Sequence, residues 1–249
     1  MVQRITVIAE QCRGSVLTLT ADQAHYLVDV LRLSVGDRFI AQDGEGTQWT
    51  AALKATSAKP FQANILETLH HTTTTAPLRL IAAPTKGNSF DQVIRQATEL
   101  GVTHIHPVIT QRTVLKPSSN RLARWQRIAA EATEQSERVT IPKILDPVPF
   151  AQHLISLISE EDCADIKYIC SARTNNPHLL AAVQSKISSE NLPGITLGIG
   201  PEGGWTSREI SDAIRSGYEE VSLGPVILRA VTASITALSL TAAARNLLI

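Results

Sequence analysis

The chain has 249 residues, 43% of them hydrophobic, and 23 Lys+Arg balance 23 Asp+Glu. That apolar content supports a packed core and excludes global disorder, and the length suits one large domain or two modest ones. Balanced charge excludes a protein that binds nucleic acid through its overall field, leaving only local basic patches. Cys12, Cys163 and Cys170 are odd in number and lack metal-ligand spacing, which points to free thiols in a reducing compartment. Met1-Val2-Gln3-Arg4 leads into no apolar leader, and no segment has the apolar length of a membrane span, so a soluble cytoplasmic protein is expected.

Residues 1–72 read as short strands with turns. Strands are expected at Arg4–Ala9, Ser15–Leu19, Arg38–Gln42, Trp49–Ala55 and Ala63–Leu69, with one helix from Ala21 to about Leu33 capped by Thr20. Asp43-Gly44 is a hairpin turn signal, and the whole predicts a small β-barrel. The polar stretch from His70 to Pro77 reads as a linker.

From 73 to 249 the texture alternates. A strand is expected at Leu78–Ala83, then a helix at Ser89–Leu100 with Ser89-x-x-Gln92 as its capping box and Gly101 as its stop. Next come strand Val102–Val108, a helix from Asn120 to about Arg138, strand Ile141–Leu145 and helix Phe150–Ser159. Strand Ile166–Ser171, helix Pro177–Ser189, strand Ile195–Ile199, helix Ser207–Ser216 and strand Val221–Leu223 follow, before a final helix from about Ala230 to Asn246. Such alternation predicts an α/β domain with a mostly parallel sheet and helices on both faces.

The most informative segment is Leu197-Gly198-Ile199-Gly200-Pro201-Glu202-Gly203-Gly204-Trp205. An apolar run stops in glycines, and Thr206-x-x-Glu209 then opens a helix as a capping box. In an open α/β sheet a strand end followed by a tight bend is where ligands bind. Gly198-x-Gly200-x-x-Gly203 also matches the dinucleotide fingerprint, but Pro201 removes an N–H and Glu202 sets a negative charge where phosphate would sit. The loop suits a ligand without phosphate, held by backbone amides and carbonyls. A second glycine turn follows the last short strand, Ser222-Leu223-Gly224-Pro225-Val226-Ile227-Leu228-Arg229.

This pair of loops resembles the SPOUT class of S-adenosylmethionine-dependent RNA methyltransferases, and within it the bacterial family that methylates N3 of a uridine in 16S ribosomal RNA of the small subunit. The resemblance runs the full length. It is carried by His25…Val30-Leu31-Arg32…Gly36-Asp37, by Lys86, by Ala97-Thr98-Glu99-Leu100-Gly101-Val102, by Gln111-Arg112, and by Trp125…Ile128…Glu131-Ala132…Glu134-Gln135…Arg138. Ile199 to Gly204 and Leu223-Gly224…Ile227-Leu228-Arg229 complete the set. It implies a PUA-like β-barrel over 1–72 that contacts RNA, a methyltransferase domain with a deep trefoil knot over 73–249, and a homodimer. In one place the chain departs from the family pattern: Val231 stands for a Glu and Val226 for an Arg. Losing both opposite charges together fits a pair removed as a unit, which costs less than stranding one buried charge.

The resemblance implies a cradle for S-adenosylmethionine formed by Leu197, Gly198, Ile199, Gly200, Pro201, Glu202, Gly203, Gly204, Leu223, Gly224, Ile227, Leu228 and Arg229. Arg229 is the candidate for stabilising an N3-deprotonated uracil, and Glu202 for a cofactor hydrogen bond or base. RNA contacts fall on Arg32, Lys86, Arg112, Gln135 and Arg138, with the Arg121, Arg124, Arg127 row and Lys116 as a phosphate stripe or a solvated face. His104 and His106 alternate on one strand face without further ligands, so no metal is assigned. Two other readings stay open. One is a non-catalytic RNA-binding or ribosome-assembly protein that keeps the fold, for which Val231 argues. The other is a nucleotide-dependent oxidoreductase, for which only the literal glycine pattern argues.

Overall fold

The computed structural model describes residues 3–55, 61–71, 76–115, 118–156, 165–172 and 175–248. The expected boundary at 72/73, Lys116, Cys163 and the last residues of the helix expected at 150–159 lie outside them. Two compact units make up the chain. One comprises Met1–Thr74 with Ala130–Ile141, the other Thr75–Ala129 with Pro142–Ile249.

In the first unit, strands β1 (Arg4–Thr6), β2 (Cys12–Arg13), β3 (Val16–Thr18), β4 (Arg38–Gln42), β5 (Thr47–Leu53) and β6 (Gln62–His70) form one sheet in the order β1-β4-β5-β6-β3-β2. Its alternate residues bury Leu17, Phe39, Ala51 and Ala63. No strand pairing joins β1 to β2 among the described residues. Instead, side-chain amides stitch the gap: Gln23 Nε2 donates to Thr6 O at 2.9 Å, Gln11 Nε2 to Thr18 O at 2.7 Å, and Gln11 Nε2 to Gln23 Oε1 at 2.7 Å. These amides link β1 to β3. At the β4–β5 hairpin, Asp43 accepts from the N–H groups of Glu45 and Thr47, and Gly44 adopts φ +74.

Helix α1 (Ala21–His25) begins at Thr20 with a full Thr20/Gln23 capping box but is shorter than expected. The chain widens into a π turn over Tyr26–Val30, closed by Leu31 N–H to Tyr26 O at 2.9 Å. β-Branched Val28 and Val30 are poor helix formers, and the wider turn still sets Leu27 fully in the core. Arg32 follows in the left-handed region at φ 58. Residues 130–141, expected within the second domain, cluster here because their hydrogen bonds go to this sheet. Thr6 N–H donates to Glu134 at 2.6 Å, Arg4 pairs with Glu137 at 3.0 Å, and Ile141 N–H donates to Gly44 O.

In the second unit, β7 (Leu78–Ala82), β8 (His104–Ile109), β9 (Lys143–Ile144), β10 (Val148–Pro149), β11 (Ile166–Cys170), β12 (Ile195–Ile199) and β13 (Tyr218–Val221) form a sheet in the order β10-β8-β7-β12-β11-β13, with β9 also on β8. Every pairing in it is parallel. Helices α4 (Phe150–Ser156) and α6 (Ser207–Arg215) pack together; Phe150, Leu154 and Ala213 share one apolar cluster with Ile81, Val108, Ile169 and Trp205. Helix α7 (Ala230–Asn246) packs on α2 (Ser89–Glu99), α5 (Leu179–Gln184) and β12. Helix α3 (Ser119–Gln135) lies against α2 through its first half: Asp91 accepts from Arg124 Nε at 2.8 Å and from Trp125 Nε1 at 3.2 Å.

Several boundaries differ from expectation. No capping box forms at Ser89, which is itself the first helical residue after Asn88. The last strand runs over Tyr218–Val221, not 221–223, because Tyr218 joins the core while Glu219 and Glu220 are tolerated at the sheet edge. The strand expected at 141–145 holds only β9, β10 is an unexpected further strand at 148–149, and the helix expected at 177–189 holds only Leu179–Gln184, with His178 as its cap.

Candidate active site

The carboxyl ends of β7, β11, β12 and β13 open on one cleft of about 720 Å³. This is the position at which parallel α/β sheets bind ligands, and the volume falls in the range of small-molecule sites. The two glycine loops are not adjacent, as β11 enters the sheet between β12 and β13. Its loop therefore forms the floor, where Ser171 N–H donates to Val221 O at 3.0 Å and Ser171 Oγ to Glu220 at 2.6 Å. Cys170, Ser171 and Ala172 all line the cleft and were missed in the sequence. Their only sequence signal is small residues where the apolar run of β11 stops.

The first glycine loop is shaped by its neighbours. Gly204 N–H donates to Pro201 O at 2.8 Å, and Gly204 sits at φ +68, where a side chain would be strained. A Cβ at Gly200 would lie 3.2 Å from the Trp205 indole. That indole donates to Cys170 O at 3.2 Å and packs on Phe150 with centroids 4.7 Å apart. The Thr206/Glu209 capping box forms as expected, and the second Glu209 oxygen accepts Gln111 N–H at 2.8 Å. In the second loop, Ser222 Oγ receives Gly224 N–H at 3.1 Å, with Gly224 at φ +119.

Ile199 to Gly204, Leu223, Gly224, Ile227, Leu228 and Arg229 line the cleft. Leu197 and Gly198 do not; they lie inside β12, in register with Leu80 and Ile81 on one side and Tyr168 and Ile169 on the other. Arg229 caps α7 without a side-chain cap bond, is exposed, and its guanidinium has no partner among the described residues. Glu202 is exposed at the rim and accepts Lys86 N–H at 3.2 Å, so it ties the β7 loop to the glycine loop. Val226 and Val231, where charges were expected, also line the cleft. So does Thr85, 2% exposed, whose hydroxyl has no hydrogen-bond partner among the described residues.

The expected RNA contacts divide between the units. Arg32, Gln135 and Arg138 belong to the first. Arg32 and Gln135 are exposed, while Arg138 is half-buried, and burial lowers its pKa from the usual arginine value. Lys86 is exposed in the second unit and does not line the cleft. Arg112 does line it, but its Nη1 donates to Gly203 O at 2.7 Å and to Trp205 O at 3.2 Å. The arginine row on α3 is partly engaged as well, Arg124 with Asp91 and Arg121 with Gly87 O at 3.2 Å. His104 and His106 lie off the cleft. His106 is buried edge-on to His153, 5.2 Å between centroids, and burial, helped by His153, His104 and Arg79, pushes its pKa down to about 3.

Comparison with known proteins agrees with this geometry. The model of an RNA methyltransferase domain matches residues 72–242, and that of an RNA methyltransferase PUA domain matches residues 19–66. The chain is 44% identical over 241 residues to ribosomal RNA small subunit methyltransferase E of Synechocystis sp., covering 96% of this chain and 77% of that protein. Among solved structures it resembles ribosomal RNA small subunit methyltransferase E from Neisseria gonorrhoeae bound to S-adenosyl methionine, with TM-score 0.82 and 30% identity over 99% of this chain and 98% of that one. It is also similar to a putative methyltransferase from Legionella pneumophila in complex with the bound cofactor SAM, with TM-score 0.83 and 29% identity over 98% of each chain.

Proposed function

We propose, for a chain that belongs to the ribosomal RNA small subunit methyltransferase E family, that the cleft at the carboxyl edge of its parallel sheet receives S-adenosylmethionine and delivers the methyl group to N3 of a uridine. The protein is an S-adenosylmethionine-dependent methyltransferase of 16S ribosomal RNA. The observation that carries the cleft's role is that the two glycine loops, with the β11 loop between them, line one cavity of small-molecule size together with apolar Leu223, Ile227 and Leu228. The residues fit such a ligand. Glycines 200, 203 and 204 bring backbone to the cleft without side chains of their own, although Gly204 N–H and Gly203 O are already bonded to Pro201 O and Arg112, and the unpartnered Thr85 hydroxyl is a polar group awaiting a partner.

Bound S-adenosylmethionine supplies an electrophilic methyl on a sulfonium that is already a good leaving group. What this chain adds is placement and charge. Leu223, Ile227 and Leu228 wall the purine. Orientation of the two reactants in line supplies roughly 7–11 kcal/mol in favourable cases. Arg229, unpaired at the mouth, stabilises the negative charge of a deprotonated uracil ring. Glu202 accepts Lys86 N–H and retains lone pairs for a cofactor hydrogen bond or for the N3 proton released when the methyl is transferred. The target base is splayed out of its stack to reach the methyl group. Lys86, Arg32, Gln135 and Arg138 are assigned to RNA, and Arg32 is the best supported, exposed in a left-handed turn. A homodimer and a deep trefoil knot, which the family resemblance implies, belong to the same proposal.

The test compares ribosomal RNA by mass spectrometry from cells with and without the protein, alongside calorimetry with S-adenosylmethionine. One missing methyl-uridine is expected, and restoring Arg229→Ala should leave donor affinity within a few-fold while lowering methyl transfer about a hundredfold or more. An unchanged modification map refutes the uridine assignment. Absence of donor binding would favour the non-catalytic reading that Val231 raised.

A further inference from the structure

We infer that Arg112 is a positioning residue for the methyl-donor cradle, acting through the backbone of Gly203 and Trp205, and that it is not an RNA contact; this rests on the reading of the cleft as the donor site. The turn after β8 grips the glycine loop at both flanks. Arg112 Nη1 donates to Gly203 O at 2.7 Å and to Trp205 O at 3.2 Å. One residue earlier, Gln111 N–H donates to Glu209 Oε1 at 2.8 Å, while Glu209 Oε2 holds Thr206 N–H at 2.8 Å. The arginine's arm also lies flat on the loop: a Cβ at Gly203 would meet Arg112 Cδ at 3.2 Å and Cβ at 3.3 Å.

A guanidinium suits this task. It is planar, permanently charged and carries several N–H groups in a fixed fork, so one side chain can bind two carbonyls two residues apart. Those carbonyls precede α6 and have no backbone partners of their own in the loop. With them anchored, Trp205 is fixed at its carbonyl by Arg112 and at its indole by Cys170 O. The β8, β11 and β12 loops then move as one piece, and the cradle between Gly200 and Gly204 is set before the donor arrives. Preorganisation of this kind appears as ligand affinity.

The experiment measures S-adenosylmethionine affinity by calorimetry, RNA affinity against salt concentration, and Tm, for the full chain and for Arg112→Ala, Arg112→Lys, Gly203→Ala and the Gly203→Ala/Arg112→Ala pair. Arg112→Ala should weaken the donor about ten- to a hundredfold, the scale of charge-assisted hydrogen bonds, and leave the salt slope of RNA binding unchanged. Arg112→Lys should recover part of the loss, since an ammonium reaches one carbonyl well and not both. Gly203→Ala should weaken the donor in the native background and cost less once Arg112→Ala removes the Cδ contact, the Cβ contact remaining. Unchanged donor affinity with a salt slope reduced by about one would make Arg112 a phosphate contact and overturn the inference. A fall in both overturns the exclusion of RNA, and a lower Tm with donor affinity intact reduces Arg112 to a structural role. Failure of the native protein to bind the donor would instead refute the donor-site reading itself.

Discussion

Replacement of Asp91 by alanine should cost the second unit about 2–3 kcal/mol. Asp91 sits in the first turn of α2 with its side chain 9% exposed. One oxygen accepts Arg124 Nε and Nη2, both at 2.8 Å, and the other accepts Trp125 Nε1 at 3.2 Å. Arg124 is 49% exposed, so that pair is screened and contributes about 0–1 kcal/mol. Trp125 is wholly buried and held edge-on against Phe90 with centroids 4.7 Å apart, so its indole cannot swing out to water. Stranding that N–H costs about 1–3 kcal/mol and dominates the sum. Asp91→Asn keeps a neutral acceptor for the indole and should cost about 1 kcal/mol. Urea unfolding followed by tryptophan fluorescence measures both; in Tm the alanine variant should fall about 5–10 °C, at about 2–4 °C per kcal/mol for a chain of this size. The reasoning is refuted if Asp91→Ala stays within about 0.5 kcal/mol of the native protein, the ordinary scatter of surface changes, or if asparagine costs as much as alanine.

Gly194→Ala should cost about 2–4 kcal/mol or abolish soluble expression, because its Cβ would collide with Asp165 Oδ1, part of a carboxylate tied to Arg79 and Thr196; native-like stability would show that the ion pair yields freely. The acid limb of the stability curve should depend on His106. With a pKa held at about 3 against 6.5 for the unfolded chain, it stays neutral when folded, so its contribution is intact above about pH 6.5 and is lost as pH falls toward 3, by at most about 5 kcal/mol. His106→Leu should flatten that limb in pH-dependent denaturation, and an unaltered limb would place the titration elsewhere.

Much of the fold was legible because its signals are local. Thr20 and Thr206 cap their helices as their spacing with Gln23 and Glu209 predicts, and α7 begins and ends where its apolar run does. The boundaries that failed are those where tertiary contacts outweigh propensity. Leu27 reaches the core through a π turn, and Tyr218 extends an edge strand despite two following glutamates. At the site, the two glycine loops were visible in the sequence, but spatial strand order was not. Because β11 separates β12 from β13, Ser171 and Ala172 contribute a floor that no motif announced. Arg112 was read as an RNA contact because a basic residue after a strand end looks free in one dimension; its carbonyl partners lie far along the chain.

The strand order also dictates when the protein can become itself during synthesis. β7 finds one neighbour soon, from residues 104–109, and its other only from residues 195–199. Until residues 195–199 have left the ribosome, a strand that is apolar except for Arg79 waits with one open edge, the kind of surface that recruits chaperones or wrong partners. Non-local parallel pairing of this sort is slow to form. A nascent chain stalled before residue 195 should therefore be protease-sensitive from β7 onward.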